Sequence, residues 1–332
     1  MHAQTKQARA ILVYMRRHLV LAVAACWATA SAAIVDGAAR VLAAADAAAA
    51  APVAGRTLWM YWQQGEDHLK ARPAGSWYSY GHRCVDYWRR LNPGYELRLL
   101  NDTSASQLSP AYRALKRRNL PVQLMSDMLR LELLSLYGGV WADVMACPLA
   151  PLNDFAEEMT APVGFFAYKG DYGDTNNWQG LCTKGRVDGM DLNVLPFRGA
   201  FIADTWFLIA PKPHNLLVDA WLNAFQGAVA SLKDGARSGP PSFDYEYHLP
   251  HCVLNNLYDS NATFKRAYDA MPTKGYCQHK GNAVEYCNVT RKRGDDFPDA
   301  KKWMYKGVQS LARMDFDAFE EQIRRREGGA GR

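Results

Sequence analysis

Short apolar runs alternate with helical segments in the first half of the folded region. Residues 57–62 are β-prone and predict a first strand, and residues 84–91 predict a helix that ends in an Asn-Pro-Gly turn. Residues 95–100 alternate as a second strand, which an Asn-Asp pair closes. Because strand, helix and strand in this order are typical of a parallel unit, the pattern predicts the α/β fold class.

The most informative helix covers residues 126–137, whose apolar positions have helical spacing. Two polar residues interrupt that pattern, Asp127 and Arg130, and their spacing of three places their side chains on one side of the helix. Gly138 and Gly139 end the helix, since glycine is the usual residue at a left-handed cap. Taken singly, the acidic and basic pair predicts only a surface ion pair of small energy.

A short buried strand is predicted over residues 140–144, with Asp143 at its far end. Taken alone, Asp143 would be interpreted as an acid that starts a turn. Beside Asp127 and Arg130, a carboxylate in this position is suited to hold a hard divalent cation together with an anionic ligand. The combination therefore indicates a functional site.

Two tryptophans lie on or just after the first predicted strand, Trp59 and Trp62, and the polar residue Gln63 follows them. The carboxyl edge of an α/β sheet is where ligand-binding groups are presented, so an aromatic residue there is a candidate binding residue. The alternative is that both tryptophans pack in the core.

The amino-terminal 55 residues have the composition of a leader and a stem. Basic residues but no acidic ones occur over residues 1–18, residues 19–35 are uncharged and apolar, and residues 36–55 are rich in alanine. Three interpretations stay open: an uncleaved signal-anchor helix, a cleaved signal peptide and an organelle-targeting leader. The positive-inside rule predicts a cytosolic tail over 1–18, with everything after the apolar run across the membrane.

Composition and charge exclude two broad classes. Hydrophobic residues make up 49% of the chain and charged residues 22%, which excludes global disorder. The formal net charge is +6, but four of the basic residues lie in the leader, and the other 35 are nearly balanced by 33 acidic ones. The charge therefore gives no reason to expect a nucleic-acid partner.

Cysteines and glycosylation sequons agree with export. Six cysteines lie outside the leader, and disulfides are expected among them in an oxidising compartment, with the pairing left open. They are Cys84, Cys147, Cys182, Cys252, Cys277 and Cys287. Three Asn-x-Thr sequons begin at Asn101, Asn261 and Asn288.

The predicted compact domain covers residues 56–290. The segment 291–332 is dense in charge and is interpreted as a tail with a peripheral helix over 316–326.

The central motif carries a family resemblance. Residues 126–143 contain Ser-Asp-x-x-Arg followed by Leu-x-x-Tyr-Gly-Gly-Val-Trp-x-Asp. This motif resembles the core of capsular polysaccharide synthesis and initiation-mannosyltransferase-like glycosyltransferases, which are similar to glycosyltransferase family 32 and to the sugar-transferring domain of large clostridial toxins. Matches in the same order are found at residues 59–65, 88–95, 203–210 and 244–251.

The resemblance implies a GT-A fold, a single Rossmann-like domain with a mixed, mostly parallel central sheet that binds a nucleotide-sugar donor. It also implies Mn²⁺ or Mg²⁺ and retention of the anomeric configuration. The usual Asp-x-Asp metal motif is incomplete, because Asp143 is followed by Val144 and Met145. Asp143 is thus the one metal ligand that the motif predicts.

Residue roles follow from the same resemblance. Asp127, Arg130 and Asp143 are the expected catalytic residues, and a base is expected to stack on Trp62 or, as a second choice, on Trp59. The full donor-binding set is Trp59, Trp62, Gln63, Asp127, Arg130 and Trp141. Acceptor or late-site candidates are Asp204, Trp206, His248 and His251, each with an ordinary core or surface role as the alternative.

The expected function is a metal-dependent, retaining hexosyltransferase. It moves a hexosyl unit from UDP-hexose or GDP-mannose to a hydroxyl of a glycan or glycoconjugate. The expected location is a Golgi or other secretory-pathway membrane, as a single-pass type II protein with a lumenal catalytic domain. The alternative is a catalytically silent, carbohydrate-binding relative of the same fold, and the incomplete Asp-x-Asp motif keeps that alternative open.

Overall fold

The computed structural model describes residues 55–73, 78, 80–170, 202–232, 234, 245–272, 276–280, 283–287, 302–306 and 316–329. The predicted leader and nearly all of the stem lie outside these residues. No helix within the described ranges is long and apolar enough to cross a membrane.

The described residues form nine strands. They are β1 (Thr57–Tyr61), β2 (Glu96–Leu100), β3 (Gly139–Ala142), β4 (Ala146–Pro148), β5 (Phe166–Gly170), β6 (Ile202–Ala210), β7 (Tyr276–Lys280), β8 (Ala283–Cys287) and β9 (Lys302–Lys306).

Helices precede or follow most of these strands. They are α1 (Glu66–Lys70), α2 (Gly81–Leu91), α3 (Asp102–Leu108), α4 (Pro110–Arg117), α5 (Val122–Tyr137), α6 (Ala156–Thr160), α7 (Leu216–Ala230), α8 (Tyr245–Ser260), α9 (Ala262–Ala270) and α10 (Phe316–Gly329).

A mixed five-stranded sheet with the order β2-β1-β3-β6-β5 forms the centre of the fold. Strands β2, β1 and β3 are parallel, whereas β6 runs antiparallel to both β3 and β5. Four of the five strands therefore point the same way. The mixed, mostly parallel α/β sheet that was predicted is confirmed.

Both faces of this sheet are buried. Leu58 and Met60 of β1 pack in one core cluster, whereas Trp59 and Tyr61 pack in the other. This division follows from the alternation of side chains along a strand. Because helices cover both faces, β1 is buried throughout and mostly apolar, as expected for a central parallel strand.

A second, antiparallel sheet has the order β4-β9-β8-β7. Its strand β9 and the helix α10 lie beyond residue 290, the predicted domain boundary, yet they belong to the same compact unit, Pro52–Arg332. Met304, Phe319 and Ile323 are buried in that unit. Because charged residues dominate the segment 291–332, its few apolar positions do not indicate a core-forming segment in the sequence. The helix predicted over 316–326 is confirmed and is slightly longer.

Two of the six cysteines expected to form disulfides, Cys84 and Cys147, are free and buried. Cys84 lies on α2 and Cys147 on β4. Burial, together with the neighbouring Cys84 thiol, raises the pKa of Cys147. Both side chains therefore behave as small apolar residues of the core.

Two glycines connect α5 to the central strand. Gly138 has φ of +68° and Gly139 has φ of +103°, a region that favours glycine. A Cβ atom on Gly139 would lie 2.3 Å from the carbonyl oxygen of Thr57 in β1. The helix can therefore turn directly into β3 only because position 139 has no side chain.

We expect Gly139→Ala to lower the free energy of unfolding by at least about 2 kcal/mol, through the positive φ and the clash with β1. Gly227 is the matched control, because it is an exposed residue of α7 whose added Cβ would meet nothing within 4 Å. Gly227→Ala is expected to raise stability by about 0.5–1 kcal/mol. Urea unfolding of both variants measures these effects, and equal stabilities would contradict the close approach at Gly139.

Candidate functional site

Asp143 begins the turn that leads out of β3. Its backbone N–H donates to the carbonyl of Trp206 (2.9 Å), and its own carbonyl accepts from the N–H of Ala146 (2.8 Å). The strand predicted over 140–144 is observed over 139–142, so Asp143 is the first residue after it. Its side chain is 28% exposed at the carboxyl edge of the parallel strands, where a ligand can reach it.

The structure brings Asp127, Arg130 and Asp143 together. Nη2 of Arg130 lies 3.2 Å from Oδ1 of Asp127 and 3.5 Å from Oδ1 of Asp143. Asp127 and Arg130 are both buried on α5. Two carboxylates therefore share one guanidinium, and the three groups carry a net charge of −1 when both acids are ionised.

Arg130 is held by the protein on several sides. Its Nη1 donates to the carbonyl of Thr205 (2.5 Å), Nε to the carbonyl of Ser126 (3.3 Å) and Nη2 to the Ser126 hydroxyl (3.2 Å). Its Cζ also lies 5.1 Å from the ring centroid of Trp141. All three nitrogens of the guanidinium are thus engaged, which fixes α5 against β6 and β3.

Trp141 lies beneath this cluster and orients Asp143. Its indole Nε1 donates to Oδ1 of Asp143 (3.0 Å), and its ring is fully buried. The predicted role of Trp141 in donor binding stays a prediction. The contact that is present is a hydrogen bond that restricts the rotamer of the Asp143 side chain.

Asp127 titrates close to neutral pH. Burial raises its pKa from the ordinary value of 3.8 to about 6, since a buried carboxylate loses its hydration. Arg130 and a hydrogen bond with the Thr205 side chain oppose this shift, whereas the charge of Asp143 adds to it. The environment therefore leaves the ionisation of Asp127 sensitive to a small change of charge in the site.

Trp62 lies directly after β1 at the same edge as Asp143. Its backbone N–H donates to the carbonyl of Leu100 (2.9 Å), which extends the pairing of β1 with β2 by one residue. The half-buried ring lies 4.8 Å from that of Tyr78, and its Nε1 donates to Nδ1 of His68 (3.2 Å). Gln63 is half-buried beside it and accepts the N–H of Asp102 through its carbonyl (3.0 Å).

Trp59 lies in the core. It is fully buried, and its indole Nε1 donates to the carbonyl of Gly138 (2.9 Å). This placement agrees with the core-packing alternative for Trp59, since the indole helps to hold the end of α5. Trp62 is the tryptophan of the pair that lies at the edge of the sheet.

The four late-site candidates have different surroundings. Trp206 is buried and stacks on Tyr168, with ring centroids 5.4 Å apart and planes at 12°. Asp204 and His251 are also buried. Burial raises the pKa of Tyr268, and the charge of Asp204 adds to that shift. The side chain of His248 lies outside the described part of the structure. The Trp206 carbonyl accepts from the Asp143 N–H and so contacts the cluster described above. A role of the four residues in acceptor binding stays a prediction.

Thr205 is a site residue that the sequence analysis did not identify. Its hydroxyl contacts Asp127 and its carbonyl accepts from Arg130. The residue lies between two candidates, Asp204 and Trp206, but its position depends on the antiparallel pairing of β6 with β3. No local pattern indicates that pairing.

The side chains of the site could supply only some of the ligands that a divalent cation needs. Among the described residues, no group of three or more His, Cys, Asp or Glu side chains is arranged to hold a metal ion. Asp143 supplies one carboxylate at an accessible position, and Mg²⁺ is often bound by one or two carboxylates together with substrate phosphates. The site therefore fits a cation that a phosphate ligand helps to bind, and it does not form a protein cage.

We expect the stability difference between the wild type and Asp127→Asn to depend on pH. Because the folded protein binds the Asp127 proton more tightly than the unfolded chain does, the wild type loses stability relative to the variant as pH rises from 4 to 7. The expected loss over this pH range is about 2 kcal/mol. Urea unfolding at several pH values measures it, with Glu157→Gln on the exposed surface of α6 as the control. Parallel curves for wild type and Asp127→Asn would contradict the buried environment of Asp127.

Comparisons with known proteins were made on the sequence and on the fold. No curated protein matches the chain. A solved structure, the PaToxG glycosyltransferase, is similar with 13% identity over 72% of this chain and 82% of that chain, and the TM-score of 0.36 is too low to support any inference. A family model described as capsular polysaccharide synthesis protein matches residues 46–225, which is more than half of the chain. The family predicted from the central motif is therefore confirmed, and the chain belongs to the capsular polysaccharide synthesis protein family.

Proposed function

We propose that the protein is a glycosyltransferase that moves a hexosyl unit from a nucleotide-diphospho-sugar to a hydroxyl of a glycan or glycoconjugate. The observation that carries this proposal is the convergence of Asp127 and Asp143 on the guanidinium of Arg130, at the sheet edge that also presents Trp62. Membership of the capsular polysaccharide synthesis family supports the same conclusion.

In this proposal Trp62 and Asp143 bind different parts of the nucleotide-sugar donor. The half-buried ring of Trp62 offers an aromatic surface for the base, and stacking on an aromatic ring tolerates either uracil or guanine. Asp143 faces the diphosphate and, with the phosphate oxygens, would hold Mn²⁺ or Mg²⁺. When bound, such a cation neutralises charge on the departing nucleoside diphosphate.

The remaining residues of the cluster keep these groups in place. Arg130 fixes both carboxylates, and Trp141 donates to Asp143, so that the site has its geometry before the donor binds. Preorganised charges of this kind are the largest catalytic contribution in many enzymes. Asp127 accepts hydrogen bonds from hydroxyls of the donor sugar when it is ionised, which its pKa of about 6 allows at neutral pH.

The finer features of the proposal come from the family resemblance. They are retention of configuration by front-face attack of the acceptor hydroxyl, an acceptor side near Asp204, Trp206, His248 and His251, and residence in a secretory-pathway membrane with a lumenal catalytic domain. The partners are a UDP-hexose or GDP-mannose donor and a glycan acceptor.

A second candidate function is a catalytically silent protein that binds carbohydrate. The specific observation in its favour is that Met145, and not an acid, occupies the second acidic position of the Asp-x-Asp motif. Both Val144 and Met145 are buried in the core, so the turn presents one carboxylate only. Turnover separates the two candidates.

We expect Asp143→Ala to lower turnover of the preferred donor at least about a hundredfold, because the charge that faces the diphosphate is lost. The measurement is nucleoside diphosphate release with Mn²⁺ from UDP-glucose, UDP-galactose, UDP-N-acetylglucosamine and GDP-mannose. Glu157→Ala removes an exposed acid from α6 and is expected to match the wild type. If wild type and Asp143→Ala behave alike with every donor, the proposed function with Asp143 in the site is wrong, and absence of turnover in both proteins would favour the silent-protein alternative.

A further inference from the structure

The donor diphosphate needs a cationic partner, and Arg130 is badly placed to be that partner. Its side chain is 7% exposed, and its three nitrogens already contact Asp127, Asp143, Thr205 and Ser126. A phosphate that took over these contacts would leave the buried carboxylate of Asp127 without a counter-charge, which is costly. The geometry therefore assigns Arg130 a positioning role.

Arg72 is a second arginine at the same edge of the sheet. It follows α1 and is half-buried, with Cζ 5.3 Å from the ring centroid of Trp62. Its Nε is buried and has no hydrogen-bond partner in the part of the chain that the structure describes. A buried guanidinium N–H without an acceptor is unfavourable, so this group has capacity to bind an anion.

Tyr78 connects Arg72 with the acidic side of the site. Its ring lies 4.8 Å from that of Trp62. Burial raises the pKa of Tyr78, and two smaller contributions come from nearby charges, since Asp143 adds to the shift and Arg72 opposes it. Tyr78 and Arg72 thus both contact the Trp62 ring, and the charge of Asp143 reaches the same phenol. An anion attached to a base on Trp62 and directed toward Asp143 would pass close to Arg72.

We propose that Arg72 is the residue that binds the diphosphate of the donor directly. This inference rests on the proposed function and adds a binding residue to it. A guanidinium matches the geometry of phosphate oxygens with two parallel hydrogen bonds, which an ammonium group cannot do. The two arginines then have separate tasks, since Arg130 organises the carboxylates and Arg72 contacts the ligand.

Arg98 shows what a purely structural arginine looks like in this fold. Its Cζ lies 5.8 Å from the ring centroid of Trp59, a geometry similar to that of Arg72 over Trp62. In contrast to Arg72, Arg98 has a carboxylate partner, since its Nε lies 2.7 Å from Oε1 of Glu96. Arg98→Ala therefore removes an arginine stacked on a tryptophan without touching the proposed site, and it is the matched control.

The test compares nucleoside diphosphates with their nucleosides. Binding of UDP, GDP, uridine and guanosine to the full chain is measured by calorimetry for wild type, Arg72→Ala, Arg72→Lys and Arg98→Ala, and thermal unfolding checks that each variant is folded. Arg72→Ala is expected to weaken binding of the preferred diphosphate about tenfold to a hundredfold. Its affinity for the matching nucleoside is expected to stay within about twofold, because a lost charge-assisted contact affects the phosphates alone. Arg72→Lys is expected to recover part of the loss, and Arg98→Ala to equal the wild type.

Three results would contradict the proposed role of Arg72, and a fourth would contradict the proposed function of the protein. Equal losses for nucleoside and diphosphate in Arg72→Ala would show that Arg72 acts only through the Trp62 ring. Unchanged binding in Arg72→Ala and Arg72→Lys, or an equal loss in Arg98→Ala, would remove Arg72 from the site. If the wild type binds neither UDP nor GDP, the proposed function itself fails.

Discussion

The arrangement of the site depends on one buried guanidinium. The side chain of Arg130 is almost completely removed from water, so its N–H groups must find acceptors inside the protein. They find them on three separate elements: the first turns of α5, the strand β6 and the turn after β3. Helix, strand and turn are consequently fixed relative to one another by a single side chain. The two carboxylates are held in the same way, because each compensates part of the same charge.

Close backbone packing gives this cluster its frame. Gly138 and Gly139 let α5 end directly against β1, and the indole of Trp59 caps the Gly138 carbonyl. The Asp127–Arg130 pair lies on α5, and Asp143 follows β3, which begins at Gly139. The short path through the two glycines is therefore what keeps the helical pair within reach of the acid. A longer connection would leave these groups on unrelated surfaces.

Local sequence patterns predicted most of the features that depend on a single helix, strand or turn. The spacing of Asp127 and Arg130, the glycine cap and the acid after the strand all follow from periods of 3.6 and 2 and from turn chemistry. The contribution of Thr205 was not predictable in this way, because it depends on the pairing of β6 with β3 across a long stretch of chain. The sequence did not show which of Trp59 and Trp62 is accessible to a ligand, because that depends on where β1 ends: Trp59 lies within the buried strand and Trp62 directly after it. The helix α3 was missed because its stretch of Asn, Asp, Thr and Ser suits a loop as well as a capped helix.

The strand β4 begins three residues after Asp143 and pairs with β9, close to the carboxyl terminus. Only Val144 and Met145, both buried, separate the acid from that strand. The short connection between β3 of the large sheet and β4 of the small sheet therefore contains Asp143. A change that displaces β9 would therefore also disturb the position of the Asp143 side chain, so the part of the chain beyond residue 300 helps to define the turn that carries this acid.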